Sequence, residues 1–243
     1  MKILQILLAV VIITSFSACK KDKSPAAPPY NCITCKTVPD AIAANNSSSK
    51  GIYKGVIIGS SGTITFDISN NGTAITAVMI IDGVTVTLTS TVTWVAGQAY
   101  VAPFTGTLSG QTVTINFSVG ATGSTPTVTS SNIPGHPNAS LTIIKETSTG
   151  LVECFEGTYS TTRPETGTFN LILCRSLSMW SGVARKTGTT TSGSAGNGSI
   201  SNNKLIDPSQ GNNSIGTLNG DDLNGSFIDN SGNTVTITGK RTL

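Results

Sequence analysis

The chain has 243 residues, of which 11% are charged and 5% are aromatic, and its formal net charge is +3 at neutral pH. No basic patch of the kind that nucleic acid requires is present, which argues against a nucleic-acid-binding protein. Threonine, serine and glycine are abundant, so we expect a surface that carries hydroxyl groups rather than charges. Such a surface is more typical of an extracellular or cell-envelope protein than of a cytosolic one.

The first 19 residues have the organisation of an export signal. Lys2 gives a positive start, and residues 3–16 form an apolar run that is long enough for a secretory signal but short for a membrane span. Residues 16–19, Phe-Ser-Ala-Cys, then resemble the lipobox of bacterial lipoproteins, with phenylalanine where leucine is usual. The resemblance implies a signal peptide over residues 1–18, cleavage before Cys19, and attachment of palmitate-type acyl chains to Cys19. A short buried helix and an uncleaved membrane anchor are the alternatives.

Residues 19–50 are predicted to form the lipidated cysteine and a flexible tether. They are charged at first, then rich in proline and alanine, and finally rich in asparagine and serine, with no apolar periodicity. Two acyl chains suffice for stable membrane attachment. Lys20 is not the aspartate associated with retention in the inner membrane, so the resemblance implies the outer membrane, on either of its faces.

From Gly51 to the C-terminus the sequence alternates between apolar and hydroxyl-bearing residues, with turn sequences such as Asn-Gly and Asp-Gly between the runs. Period two with β-branched residues is typical of half-buried antiparallel strands. The pattern predicts an all-β domain over residues 51–243, an antiparallel meander of about a dozen strands. Clear examples of the alternation are residues 63–69, 84–88, 112–117 and 234–238.

The β domain contains an internal repeat. Residues 62–66 align with residues 167–171, and residues 106–110 align with residues 216–220. Two related halves are therefore predicted, at about residues 51–150 and 151–243. Because the join is itself strand-like, we expect the halves to share one core, in a closed barrel of lipocalin-like architecture or a flattened sandwich. Two independent small domains are the alternative.

Four cysteines remain besides Cys19, and an even number in an exported protein favours disulfides. Cys154 and Cys174 are equidistant from Pro164, so a hairpin that turns there would place them opposite each other and allow a disulfide between them. In that register Tyr159 would face Phe169.

Cys32 and Cys35 form a Cys-x-x-Cys motif within the predicted tether. A local disulfide, or disulfides to Cys154 and Cys174, is the main prediction. The alternatives are half of a zinc site that the second cysteine pair completes, and a redox site, although the strand-helix context of a redox motif is missing.

The sequence contains no hydrolase elbow and no phosphate-cradling loop, and we expect no enzyme activity, cofactor or metal. His136 is the only histidine and is predicted to lie in an exposed loop. Asp221 and Asp222 are interpreted as polar turn residues, with a calcium site as the alternative. Three glutamates lie near the predicted hairpin, and a glycosidase pair of carboxylates among them is a further alternative: Glu153, Glu156 and Glu165.

Three functional classes follow from these features. The first is a non-enzymatic, lipid-anchored envelope protein that contacts other surface components. The second is a carrier of a lipid or small hydrophobic molecule such as a fatty acid, because a barrel of a dozen strands has a wider interior than eight strands enclose. The third is a carbohydrate-binding protein that uses Trp94, Trp180, Tyr53 or Tyr100 as stacking platforms, although Trp94 falls on the apolar phase of its predicted strand. The candidate ligand-binding residues of the interior are Phe66, Leu88, Trp94, Phe117 and Phe169.

Overall fold

A computed structural model of the protein describes residues 29–59, 61–190 and 195–243. The predicted signal peptide, Cys19 and the first part of the predicted tether lie outside these residues. The described chain is all-β, with two short 3-10 helices at Ala43–Asn45 and Pro208–Gln210, and this confirms the predicted fold class. The described residues form sixteen strands rather than the predicted dozen, in two sheets of eight. Among the described residues, no helix has the length and apolar character needed to cross a membrane.

The first half of the chain forms an eight-stranded antiparallel sheet in the order β7-β6-β5-β4-β3-β2-β1-β8. The first strand pairs with both the second and the last, while β7 and β8 lie side by side without a hydrogen-bonded ladder, so the barrel is nearly closed. The strands are β1 (Gly51–Ile58), β2 (Gly62–Ile68), β3 (Ile75–Ile81), β4 (Val84–Thr89), β5 (Tyr100–Leu108), β6 (Gln111–Val119), β7 (Thr127–Asn132) and β8 (Ser140–Lys145).

The second half forms a closed barrel of eight strands, again as an antiparallel meander in which the last strand returns to the first. We call the two sheets the first barrel and the second barrel. The strands of the second barrel are β9 (Glu153–Thr161), β10 (Thr166–Cys174), β11 (Met179–Lys186), β12 (Ala195–Ser201), β13 (Lys204–Asp207), β14 (Asn213–Asn219), β15 (Asp222–Ile228) and β16 (Thr234–Arg241).

The alternating sequence pattern explains how these strands bury one face. In β6, Val113, Ile115 and Phe117 are fully buried, whereas the residues between them are partly exposed. Between β3 and β4, Asp82 and Gly83 both have positive φ, at 48° and 78°. This is the conformation that a tight two-residue hairpin turn needs, and it is the reason an Asp-Gly pair stands there.

The two barrels have separate hydrophobic cores, one around Phe66 and Phe117 and the other around Phe155 and Trp180. The structure therefore differs from the single shared core expected from the sequence and corresponds to the alternative of two small domains. The reason is the pairing of β8 with β1 and of β16 with β9, which closes each half on itself. A small third cluster joins the outer faces of the barrels and consists of Val56, Ile58, Val152, Cys154 and Ile172.

The two sequence matches of the internal repeat occupy different relative positions in the fold. Residues 62–66 lie in β2 and residues 167–171 lie in β10, which are the second strands of their barrels. Residues 106–110 connect the fifth and sixth strands, whereas residues 216–220 connect the sixth and seventh. The first match thus relates equivalent strands, and the second is offset by one strand.

Residues 29–50, which the sequence analysis placed in a flexible tether, are packed against the barrels. The Asn45 side-chain amide donates to the Asn70 carbonyl at 2.9 Å, and the Ser49 hydroxyl donates to the Gln98 carbonyl at 2.8 Å. The Lys145 ammonium donates to the carbonyl of Asn45 at 2.8 Å. Polar hydrogen bonds rather than apolar burial hold this segment, so its composition resembles that of a solvated spacer. We call residues 29–50 the N-terminal strap.

Candidate functional site

The second barrel contains a cavity of about 480 Å³ that opens at one end. This volume lies within the range of ligand-binding pockets, which are concave and mostly apolar. The open end is formed by the loops that follow β9, β11, β13 and β15, and we call it the mouth. Most of the wall is apolar and includes Phe169, Leu171, Trp180, Ala184, Ile215, Phe227, Val235 and Ile237.

Glycine residues make room for the cavity, because aromatic rings lie over them against the barrel wall. A Cβ atom added to Gly157 would lie 2.5 Å from Cζ of Phe169, and one added to Gly167 would lie 2.3 Å from Cε1 of Tyr159. A side chain at either glycine would displace the ring from the wall. The rings therefore occupy space near the wall and leave the centre of the barrel open.

The same contacts set the register of the β9–β10 hairpin. Tyr159 pairs with Gly167 and Phe169 pairs with Gly157, so the predicted pairing of Tyr159 with Phe169 is wrong. The Thr161 amide donates to the Glu165 carbonyl at 2.9 Å and closes the hairpin loop. Each residue of β9 therefore pairs with a β10 residue two positions earlier in the chain than predicted.

The predicted Cys154–Cys174 disulfide is wrong for this reason. In the observed register Cys154 pairs with Ile172, and both cysteines are buried free thiols. Burial raises the pKa of the Cys154 thiol well above its usual range, and the Sγ atom lies 3.8 Å from the Gly55 carbonyl of the first barrel. Cys154 thus belongs to the contact between the barrels rather than to a reactive site.

Trp180 is the largest aromatic residue of the cavity wall. It lies on β11, is 5% exposed, and its indole N–H donates to the Ile206 carbonyl at 3.1 Å. Its ring lies over Gly196, where an added Cβ atom would be 3.1 Å from Cη2. Trp180 is therefore not a surface stacking platform for carbohydrate, and Tyr53 and Tyr100 are buried as well.

An ion pair stands at the mouth of the cavity. The Lys186 ammonium lies 3.0 Å from a carboxylate oxygen of Glu165, and the Tyr159 hydroxyl donates to the other oxygen at 3.0 Å. The hydrogen bonds from Lys186 and Tyr159 lower the pKa of Glu165. Burial, with a smaller contribution from Glu165, raises the pKa of Tyr159 to about 12. At neutral pH the carboxylate is charged and paired, and the phenol stays neutral.

Asp207 is a buried carboxylate in the cavity wall, 7% exposed. It stands before the 3-10 helix Pro208–Gln210, and its Oδ1 accepts the Ser209 amide at 2.8 Å and the Ser209 hydroxyl at 2.7 Å. This is the arrangement of a helix N-cap. Oδ2 points to the other side, towards the space above Gly196, at 3.6 Å from where a Cβ atom of that glycine would be.

Asp229 is the third carboxylate that lines the cavity. Its Oδ1 accepts the amides of Ser231 and Asn233 at 2.9 and 2.8 Å. Hydrogen bonds from the backbone and side chain of Asn233, and further ones from the backbone of Ser231 and Gly232, lower the pKa of Asp229. Asp229 is thus ionised at neutral pH and is held by its own turn.

Charged residues form ion pairs at the opposite end of the second barrel, which we call the closed end. Arg175 donates from Nε to Glu153 at 2.8 Å, and an Nη1 of Arg241 lies 3.4 Å from Asp221. Glu153 and Arg241 are 4% and 6% exposed, so this is a buried cluster in which each charge has a partner.

Asp221 and Asp222 hold the N-terminal strap at the closed end. Asp221 accepts the amide of Cys32 and Asp222 accepts the amide of Tyr30, both at 2.8 Å. These carboxylates therefore accept hydrogen bonds from the protein's own backbone.

The predicted local disulfide between Cys32 and Cys35 is confirmed, and it lies in this part of the strap. Within the part of the chain that the structure describes, no group of histidine, cysteine and acidic side chains is arranged to hold a metal ion.

The predicted interior residues are divided between the two barrels. Phe66, Leu88 and Phe117 are fully buried in the core of the first barrel, and Trp94 lies half-buried in the loop after β4. Phe169 alone among the five lines the cavity of the second barrel. Sequence reasoning missed the importance of Trp180 for the wall and missed Asp207, and the signal that could have revealed the cavity is the series of glycines on the apolar phase of the later strands.

The remaining candidate catalytic residues lie in different parts of the structure and do not form a cluster. Glu153 pairs with Arg175 at the closed end, Glu165 stands at the mouth, and Glu156 lies on the outer face, where it accepts a hydrogen bond from the first barrel. His136 lies 3.6 Å from Asp82 and forms an ion pair when protonated. The three glutamates serve different contacts and do not form a catalytic pair.

No protein-family model, no curated protein and no solved structure matches this chain. The functional interpretation therefore depends on the chain's own geometry, and the cavity of the second barrel is the feature with the clearest chemical meaning.

Proposed function

We propose that this protein is a lipid-anchored, non-enzymatic binding protein of the bacterial cell envelope, and that its second barrel carries a small, largely apolar molecule. The cavity of about 480 Å³ is the observation that carries the proposal. Its wall is rich in aromatic and aliphatic side chains, and burial of apolar ligand surface there contributes roughly 25 cal/mol per Å². The lipobox-like sequence that ends at Cys19 supports the anchor, and Lys20, in place of the aspartate associated with inner-membrane retention, supports the outer-membrane location.

The position of the N-terminal strap supports an orientation for the cavity. Tyr30 and Cys32 are held at the closed end of the second barrel, so the chain that leads back to Cys19 starts there. About ten residues separate Cys19 from the strap, and they reach at most about 35 Å. In this proposal the closed end faces the membrane, and the mouth faces away from it.

Native mass spectrometry of the full protein, purified from its own membrane under mild conditions, tests the carrier function. We expect a reproducible added mass beyond that of the acylated chain, and we expect it to disappear after denaturation. A mass that corresponds to the acylated chain alone in every preparation would contradict a retained ligand and direct attention to protein or glycan partners of the outer surface.

The anchor is tested separately with the variant Cys19→Ser, in which residues 1–18 are replaced by a signal peptide whose cleavage does not need an acylated cysteine. The variant should fold but leave the membrane fraction, because acyl chains can no longer be attached to the side chain. If the variant remains in the membrane fraction after a high-salt wash, the lipid anchor at Cys19 is not what holds the protein there.

A further inference from the structure

We infer that the cavity selects amphipathic ligands with a cationic, hydrogen-bond-donating head group, such as a primary amine, and that Asp207 receives this group. The inference rests on the proposed function and names the chemical class of its ligand. It distinguishes this cavity from one that is built for fatty acids.

The first observation is the geometry of Asp207. This carboxylate is 7% exposed, and Ser209 occupies only Oδ1 with its two hydrogen bonds. No hydrogen bond to Oδ2 occurs within the described residues, and this oxygen faces the cavity beside Gly196. Oδ2 is open to the cavity and is not a sealed, unpaired atom of the wall, so a ligand can reach it. A ligand ammonium group there would form a charge-assisted hydrogen bond with the carboxylate.

The second observation is the balance of charge along the wall. Glu165, Asp207 and Asp229 contribute three carboxylates, and Lys186 contributes the single ammonium. Lys186 is already paired with Glu165 at 3.0 Å, so it does not neutralise Asp207. The lining residues therefore carry a net negative charge, which favours a cation and opposes the carboxylate of a fatty acid, and Arg163 in the mouth loop acts on Glu165.

The third observation is the position of Trp180 next to Asp207. The ring and Oδ2 are neighbours on the wall, since a Cβ atom on Gly196, which the ring covers, would be 3.1 Å from the ring and 3.6 Å from that oxygen. Ammonium groups bind favourably over the face of a tryptophan ring. Asp207 ends β13 at the mouth, so a ligand with its head there would direct its apolar chain inward, towards Leu171 and Ile237.

Isothermal titration calorimetry with three ligands of equal chain length tests the inference. Decylamine, decanoate and decanol are titrated, below their aggregation concentrations, into the full mature chain that carries Cys19→Ser. We expect decylamine to bind at least about tenfold more tightly than decanoate, a difference of about 1.4 kcal/mol. Decanol should bind with intermediate affinity, because it has the apolar chain without the charge.

The variant Asp207→Asn removes the charge and keeps a side-chain oxygen that accepts from Ser209. We expect it to lose the preference for decylamine and to bind decanol as the parent does. Asp67→Asn is the matched control, because Asp67 likewise accepts a backbone amide, from Asn70 at 2.8 Å, but lies in the first barrel. This control should bind all three ligands as the parent does.

The outcomes separate the inference from the proposed function. If decanoate binds as tightly as decylamine, or if Asp207→Asn keeps the full preference for the amine, the inference is overturned while the carrier function stands. If none of the three ligands binds, the inference is overturned, and the retained mass in native mass spectrometry still decides the carrier function. The preference of the parent protein decides the matter even where the variant does not fold.

Discussion

The two barrels share one topology, but the first is filled and the second is hollow. In the first barrel the aromatic rings converge on the centre, with Phe66 stacked on Phe117 at 4.5 Å between centroids and Tyr53 at 5.2 Å from Phe117. In the second barrel Phe169 and Trp180 lie against the wall over glycines. The comparison shows that the topology of an eight-stranded meander does not determine whether the barrel is filled. What differs is that aromatic residues of the second barrel lie over glycines at the wall, which leaves a cavity at the centre.

Loss of one aromatic ring should affect the two barrels differently. Phe66→Ala removes a fully buried ring from the centre of the first core and should cost about 3–5 kcal/mol of unfolding free energy. Phe169→Ala removes a ring that already borders the cavity and should cost at most about 3 kcal/mol. Urea denaturation of both variants measures the difference, and an equal or larger loss at Phe169 would contradict the contrast.

The buried ion pair of Lys54, on β1, and Glu146, which follows β8, should matter far more than the one at the mouth. Lys54 and Glu146 are 2% and 0% exposed and lie 2.6 Å apart, so Lys54→Met leaves a buried carboxylate unpaired and should cost about 3–5 kcal/mol. Lys186→Met breaks an exposed pair that solvent screens and should change stability little. Thermal denaturation checks the ranking, and similar losses in both variants would contradict it.

Added volume should be harmful in the filled barrel and tolerated in the hollow one. Ala77 is fully buried in the first core, and Ala77→Leu should cost about 1–3 kcal/mol through overpacking. Ala184 is only partly buried and faces the cavity, so Ala184→Leu should change stability by less than about 1 kcal/mol while it weakens ligand binding. Equal destabilisation by the two substitutions would mean that the second barrel has no usable space.

The smallest expected effect is a pH dependence at the contact between the barrels. Burial raises the pKa of Glu156, while the hydrogen bond from Gly62 acts in the opposite direction. The folded protein therefore binds this proton at a higher pH than the unfolded chain does. Above the folded-state pKa of Glu156 the buried carboxylate is ionised, and its ionisation lowers the free energy of unfolding. This loss of stability disappears as the pH falls to the pKa that Glu156 has in the unfolded chain.

Glu156→Gln tests this sign. The variant should gain stability relative to the parent at neutral pH, and the gain should vanish at acidic pH. A gain that is equal at both pH values would assign the effect to packing rather than to ionisation.

The strands and their faces are predictable from the sequence because alternation is a local property. The separate cores are not, since no local pattern shows that β16 pairs with β9 rather than with a strand of the first half. The register of the β9–β10 hairpin also depends on contacts across the barrel, where Phe169 lies over Gly157. The role of Asp207 could not be read from sequence, because its burial and the direction of its Oδ2 atom arise only when the barrel closes.

The contrast between a filled and a hollow barrel is tested most directly by tryptophan quenching, because the chain has two tryptophans and each barrel holds one. Decanol that carries bromine at the end of its chain is titrated into Trp94→Phe, in which Trp180 is the emitter, and into Trp180→Phe, in which Trp94 is the emitter. Trp94 borders a pocket of about 390 Å³ between its loop and residues 69–75, whose lining is more polar than that of the cavity. We predict saturable quenching of Trp180 and no saturable quenching of Trp94. Saturable quenching of Trp94 alone, or of neither tryptophan, would contradict a ligand-binding cavity in the second barrel.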